Sequence, residues 1–201
     1  DLSTAMGRNE RDKQRALNYY QKRSSSYEEV VHRGPFRIAR ERERRAMIEL
    51  AEGFKLGGGA RSLIDVGCGS GFYARLGKDA GLWVCAMDAN QGMLTNLVSV
   101  VDQTWCADLD RISPDGRTFD WVVCSGVLDF VSDSEQAMRT LSELTAPGGK
   151  LLLLVPRRGI GGLYYRIEKL VSGGFGVNLY DLKWLSTVGQ RYKLQVEDLR
   201  Y

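Results

Sequence analysis

Leu63-Ile64-Asp65-Val66-Gly67-Cys68-Gly69-Ser70-Gly71 is an apolar strand running into a turn with glycine at every second position. Such a turn bends sharply and leaves main-chain atoms open to a ligand, while the helix that follows points its N–H groups at the same place. Downstream, Trp83-Val84-Cys85-Ala86-Met87 is a second apolar run, and it ends on Asp88. A carboxylate at the tip of a neighbouring parallel strand suits the paired hydroxyls of a ribose. The dinucleotide fingerprint G-x-G-x-x-G requires its third glycine where this chain has Phe72, one residue after Gly71. That mismatch disfavours a pyrophosphate, and Asp65 beside the turn suits a cationic ligand better. S-adenosylmethionine has the ribose, carries no phosphate, and bears an ammonium and a sulfonium. The residues therefore favour it over NAD.

From Ser62 onward the pattern alternates strand and helix, which builds a parallel sheet covered on both faces. Strands are expected near 62–66, 83–87, 104–106, 119–124 and 150–155, with a last one near 192–200. Helices are expected near 72–80, 91–102, 134–145, 163–171 and 181–189. Ser132 with Glu135 three residues on reads as a capping box. Ahead of this region lie a helix over 11–31, with a break around Ser24-Ser25-Ser26, and a second helix from Pro35 to about Glu52. Gly57-Gly58-Gly59 is the clearest linker, so residues 1–59 are expected to form a helical arm or lid and 60–201 the sheet domain.

A length of 201 residues and 43% hydrophobic content fit one soluble domain with lid segments. The longest aliphatic run, Leu151 to Val155, is far too short to cross a bilayer. No charged-then-apolar leader opens the chain, so secretion is not expected, and Asp1 in place of an initiator methionine is expected to reflect a missing or a processed start. Cys68, Cys85, Cys106 and Cys124 match no zinc spacing; they read as inert strand-end residues of a reducing, cytoplasmic compartment, and no metal is expected. Residues 1–62 hold 14 Lys and Arg against 9 Asp and Glu, concentrated in Arg33, Arg37, Arg40, Arg42, Arg44 and Arg45. Interleaved Glu41, Glu43 and Glu49 make this a solvated helix face rather than a nucleic-acid patch.

Five ordered motifs resemble those of a class I S-adenosylmethionine-dependent methyltransferase of the small-molecule, ubiquinone/menaquinone-biosynthesis-like type. They are Asp65 to Gly71, Asp88-Ala89-Asn90 with Met93, Cys106-Ala107-Asp108-Leu109, Phe119 to Leu128, and Pro147-Gly148-Gly149-Lys150. The resemblance covers roughly residues 15 to 200. It implies an α/β, doubly wound, mostly parallel sheet of the seven-stranded, Rossmann-like methyltransferase type, although only one of the family's two final hairpin strands fits before Tyr201. It further implies that Gly67, Cys68 and Gly69 meet the cofactor's methionine half, with Asp65 orienting its ammonium. Asp88, with Ala89 and Met93, belongs to the ribose motif. Ala107, Asp108 and Leu109 form the adenine edge, where Asp108 accepts the N6 amine. Ser125 and Gly126 lie at the open sheet edge with Val127, Ser125 offering its carbonyl, and Tyr20 and Tyr27 match paired aromatics that close over the cofactor.

The acceptor side is less defined. Where many relatives have a Glu-His pair, this chain has Asp129 and Phe130. His32, the single histidine, reads as a surface or capping residue before it reads as a base. Tyr73, Tyr164, Tyr165 and Tyr180 are candidates for an acceptor pocket. Segment 156–180, with Arg157 and Arg158, is expected to form the acceptor lid. The resulting expectation is methyl transfer to a small organic acceptor, oxygen first and nitrogen or carbon next. A nucleic-acid methyltransferase, a non-catalytic S-adenosylmethionine-binding module and an NAD oxidoreductase are its rivals.

Overall fold

The computed structural model of the protein describes residues 2–22, 37–53 and 59–200. Two helices come first, α1 (Leu2–Gln21) and α2 (Arg37–Gly53). The alternating region follows as β1 (Ser62–Val66), α3 (Phe72–Asp79), β2 (Trp83–Asp88), α4 (Gln91–Thr95), β3 (Gln103–Cys106), β4 (Phe119–Ser125), α5 (Ser134–Leu144), β5 (Thr145–Leu154), α6 (Ile160–Gly173) and α7 (Leu182–Arg191). The strands lie in the order β3-β2-β1-β4-β5, and every neighbouring pair is parallel. The doubly wound α/β fold is thus as the sequence implies, while α1 begins at Leu2 rather than near residue 11, and residues 23–31 of that expected helix lie outside the described residues.

Both faces of this sheet are covered, so its central strands read as continuous apolar runs. Period-two alternation divides them. Ile64, Val66, Met87, Val122 and Cys124 pack on one side with Met138, Leu141 and Leu144 of α5. Leu63, Val84, Ala86, Trp121 and Val123 pack on the other with Ala74 of α3, Leu94 and Leu97, and Met47 of α2. Asp65 alternates onto this second face, directly under α3.

Several boundaries depart from expectation. Helix α4 stops at Thr95, and Leu97 and Val100 continue in tight i→i+3 turns through Val98-Ser99-Val100-Val101, whose three β-branched valines are poorly suited to a helix. Asp133, not Ser132, caps α5, accepting the N–H groups of Glu135 and Gln136 at 3.0 Å. Ser132 instead donates its backbone N–H to Asp110, and Glu135 pairs with Arg191. Strand β5 begins at Thr145, which pairs with Phe119 across a register shift, five residues ahead of the expected start. Residues 194–200 form no strand: Lys193 turns left-handed at φ 62 behind α7, and Leu194 donates back to Gly189. No ladder partner is present for that segment among the described residues. The sheet there has five strands rather than the seven that the resemblance implies.

Helix α1 is fastened to the sheet domain by charge as well as by packing. Ala16 is buried beside Phe175 and Val177, and Tyr19 meets Phe175 edge-on at 5.5 Å between ring centroids. Beside them the buried Lys13 ammonium bridges Asp108, at 2.7 Å, and Asp110. Removing one partner of such a buried pair leaves the other charge uncompensated, at a cost of about 3 kcal/mol. Lys13→Met should therefore speed amide exchange across α1 at least about tenfold while leaving β1, β2 and β4 protected. Unchanged α1 protection would show that the ion pair does not hold the helix.

Candidate active site

In a sheet of this order the loops after β1 and β4 diverge, and the crevice between them is where ligands sit. The Gly67 turn follows β1, Asp88 ends β2, residues 107–109 follow β3, Ser125 ends β4 and Val155 follows β5, so the motifs share one carboxyl edge. A cavity of about 820 Å³ runs along that edge and is walled from above by α1 and α6. That volume lies within the range of small-molecule sites, roughly 300–1,000 Å³.

Backbone hydrogen bonds set the glycine turn. Gly67 and Cys68 both donate to the Met87 carbonyl, at 2.7 and 2.9 Å, and Gly71 donates to Cys68. Gly67 sits at φ 68, where a Cβ would come within 2.0 Å of Val127. Gly71, at φ 81, answers the question raised by the misplaced third glycine: a Cβ there would lie 2.4 Å from Leu97. Its smallness serves close packing between α3 and the segment after α4.

Asp88 is held in place from both sides. One carboxylate oxygen accepts the Gly69 N–H at 3.0 Å and the other accepts the Asn90 N–H at 2.8 Å. Burial raises its pKa, and those two backbone donors oppose the rise. Each oxygen keeps a further lone pair for a ligand hydroxyl.

The cavity brings together Tyr20, Gly67, Cys68, Gly69, Asp88, Ala89, Met93, Ala107, Asp108, Leu109, Ser125 and Gly126. Asp65 does not line it. Its carboxylate is buried beneath the turn and accepts the Ala74 N–H at 3.0 Å, capping α3 from inside the sheet, where Gly71 has no side chain to do so. Tyr27 and His32 lie outside the described residues. Tyr20 faces the cavity while also packing edge-on against Tyr19 and Phe130. Asp108 spends one oxygen on Lys13 and on the Asp110 N–H. The Cys68 thiol is buried and its pKa is pushed well above the usual thiol range, so its backbone is what the turn presents. Cys106, expected to be buried, is exposed.

At the other end, Tyr73, Tyr164 and Tyr165 reach the cavity, as do Arg157 and Arg158. Tyr180 does not: it is a core residue whose hydroxyl donates to the Leu128 carbonyl at 2.7 Å and meets Ser134 at 2.6 Å. Tyr73 lines the cavity near Ser125, and burial raises its pKa. Asp129 is buried at the cavity wall and accepts the Tyr165 hydroxyl at 3.1 Å. Sequence reasoning did not anticipate Lys13, Glu43 or Arg44 at this site. Each comes from an N-terminal helix, and helical periodicity cannot say which turn reaches a distant cavity.

A glycine turn after β1, an acid after β2 and an open edge at β4 thus face one cavity on this doubly wound sheet. Residues 64–153 match the family described as Methyltransferase domain. Over 113 residues the chain is 25% identical to a ubiquinone biosynthesis O-methyltransferase of Coxiella burnetii, covering 53% of this chain and 48% of that protein. Over 96 residues it is 31% identical to a malonyl-[acyl-carrier protein] O-methyltransferase of Serratia marcescens, covering 45% and 36%. The chain thus spans about half the length, or less, of these curated relatives. Among solved structures, magnesium protoporphyrin IX methyltransferase from Synechocystis PCC 6803 with bound SAH superposes with a TM-score of 0.66 at 17% identity, covering 90% of this chain and 88% of that one. At that identity the likeness is one of fold.

Burial, opposed by the Ala74 bond and aided by the Asp88 charge, raises the Asp65 pKa from 3.8 to about 7. A carboxyl that holds its proton more tightly when folded favours folding below pH 3.8, and this contribution is lost as pH climbs toward about 7. Asp65→Asn keeps an oxygen acceptor for Ala74 and removes the titration. Without ligand, the melting temperature of the parent should fall more steeply than that of Asp65→Asn between about pH 5 and about pH 8. Parallel curves would place the Asp65 pKa elsewhere.

Proposed function

We propose that the chain transfers a methyl group from S-adenosylmethionine to a small organic acceptor, with oxygen the favoured target atom. One observation carries this reading: a single cavity joins a bare-backbone turn and a fixed carboxylate to a wall of aromatic and polar side chains. The first end has what the cofactor needs. Gly67, Cys68 and Gly69 present main chain to the methionine half, Asp88 with Ala89 and Met93 takes the ribose, and Ala107, Asp108 and Leu109 border the adenine. Ser125 and Gly126 lie between the two ends. Asp65 supports this arrangement from below by fixing the start of α3, while Tyr20 closes over it from α1.

When bound, the cofactor supplies a methyl group already activated by its sulfonium. The chain's own task is then to align the acceptor and exclude water. Asp129 and Tyr165 form a hydrogen-bonded pair on the acceptor wall, suited to orienting a hydroxyl, and the Tyr73 and Ser125 hydroxyls line the same cavity. Tyr164, Phe130 and Val127 supply apolar surface for the acceptor's body. Both curated relatives are O-methyltransferases, which supports an oxygen target.

Titration with S-adenosylhomocysteine should give saturable heat at one site per chain. Asp88→Ala should weaken that binding at least about tenfold, since it removes a charge-assisted contact and frees the Gly69 loop. Absence of saturable binding in the parent chain would overturn the proposal.

A further inference from the structure

Among the described residues, α6 is a helix with inverted polarity. Ile160, Leu163, Tyr164, Ile167, Leu170 and Val171 recur at spacings of three and four, so they share one stripe. All six point to solvent, with Ile160 91% and Val171 81% exposed. The opposite face turns Lys169 inward: it is buried, its ammonium lies 5.5 Å from the Tyr19 ring centroid and 5.6 Å from that of Tyr165, and it pairs with Glu168 at 3.3 Å. A helix that served only to pack would direct its apolar stripe to the core and its lysine to water. A continuous exposed apolar stripe of this kind marks a contact surface.

Charge indicates what covers it. Arg157 and Arg158 stand exposed just ahead of the helix, and Arg166 is exposed on its flank. The nearby carboxylates are engaged: Glu168 accepts from Ser172 and pairs with Lys169, and Asp181 lies 3.6 Å from Arg158. An apolar stripe bordered by arginines is the pattern of a helix lying in the headgroup region of an anionic bilayer. No described helix is long and apolar enough to cross a membrane, so the contact is with its surface.

We propose that α6 docks on an anionic lipid surface, its stripe entering the acyl boundary while Arg157, Arg158 and Arg166 meet lipid phosphates. Tyr164 belongs both to the stripe and to the cavity wall, and Gly161 and Gly162 on the same helix also line the cavity. Docking therefore sets the acceptor end of the cavity against the bilayer, a direct route for an apolar acceptor. That last consequence rests on the methyltransferase reading, whereas docking itself does not.

Co-sedimentation of the full chain with vesicles tests this. The chain should pellet with phosphatidylcholine vesicles containing phosphatidylglycerol, and bind pure phosphatidylcholine at least about tenfold more weakly. An Ile160→Glu/Val171→Glu double variant, altered only at exposed positions outside the cavity, should lose at least about tenfold in binding to the mixed vesicles with unchanged circular dichroism. Arg166→Gln, which leaves the stripe intact, should weaken it by about fivefold. The proposal is overturned if the parent chain stays in the supernatant with mixed vesicles, or if the double variant and Arg166→Gln both bind as the parent does. Concentration-dependent self-association of the parent, abolished in the double variant and unaccompanied by vesicle binding, would overturn it in favour of a second copy of the chain.

Discussion

The Met87 carbonyl is the point on which this architecture turns. By accepting from both Gly67 and Cys68 it ties the turn after β1 to the end of β2. One residue on, Asp88 accepts the Gly69 N–H and so fixes the next step of the same loop. The parallel ladder places Val66 opposite Met87, which brings these groups into register without any further device. A change of pairing by one residue would reverse which side chains face α3 and would also remove the turn's acceptor. The ligand-facing geometry is thus a product of strand register before it is a property of any side chain.

This explains why the sheet and its motifs were legible in the chain while the surroundings were not. The strands of a doubly covered sheet must be apolar throughout, and their turns require glycine or an acid at set offsets, so Leu63 to Gly71 and Asp88 declare themselves locally. The extent of α4 depended on β-branched residues beyond Thr95 whose preference is weaker than the packing of Leu97 and Val101. The fate of residues 194–200 depended on whether a partner strand lay beside β5, and alternation along one segment cannot reveal that. Asp65 was the instructive case. Its type and position suited a ligand cation as well as a helix cap. Only the alternation that sends it under α3, rather than toward the cavity, separates the two.

Asp65 also shows how the site balances opposing demands. A carboxylate under α3 satisfies the helix start, yet burial disfavours its charge, and Asp88 adds repulsion. Asp88 is half-buried, and two backbone donors stabilise its ionised form. Two acids on adjacent strands therefore differ in character because of the donors each can reach, which is a matter of loop geometry and not of residue type.

Helices α1 and α6 follow a different logic from the sheet. Helix α1 is held by a buried ammonium between two carboxylates as well as by Ala16 and Tyr19, and α6 is held by Tyr165 on Asp129 and by Lys169 under two aromatic rings. Such polar attachments are directional and few, so each helix is fastened at points rather than along a continuous apolar seam. Elements held in that way belong to the part of a fold that opens first, before the strands beneath them. A site that must admit and release its ligands from above is best roofed by such elements. Spending the apolar residues of α6 on its outer face removes from that helix the packing that would otherwise have held it to the sheet domain.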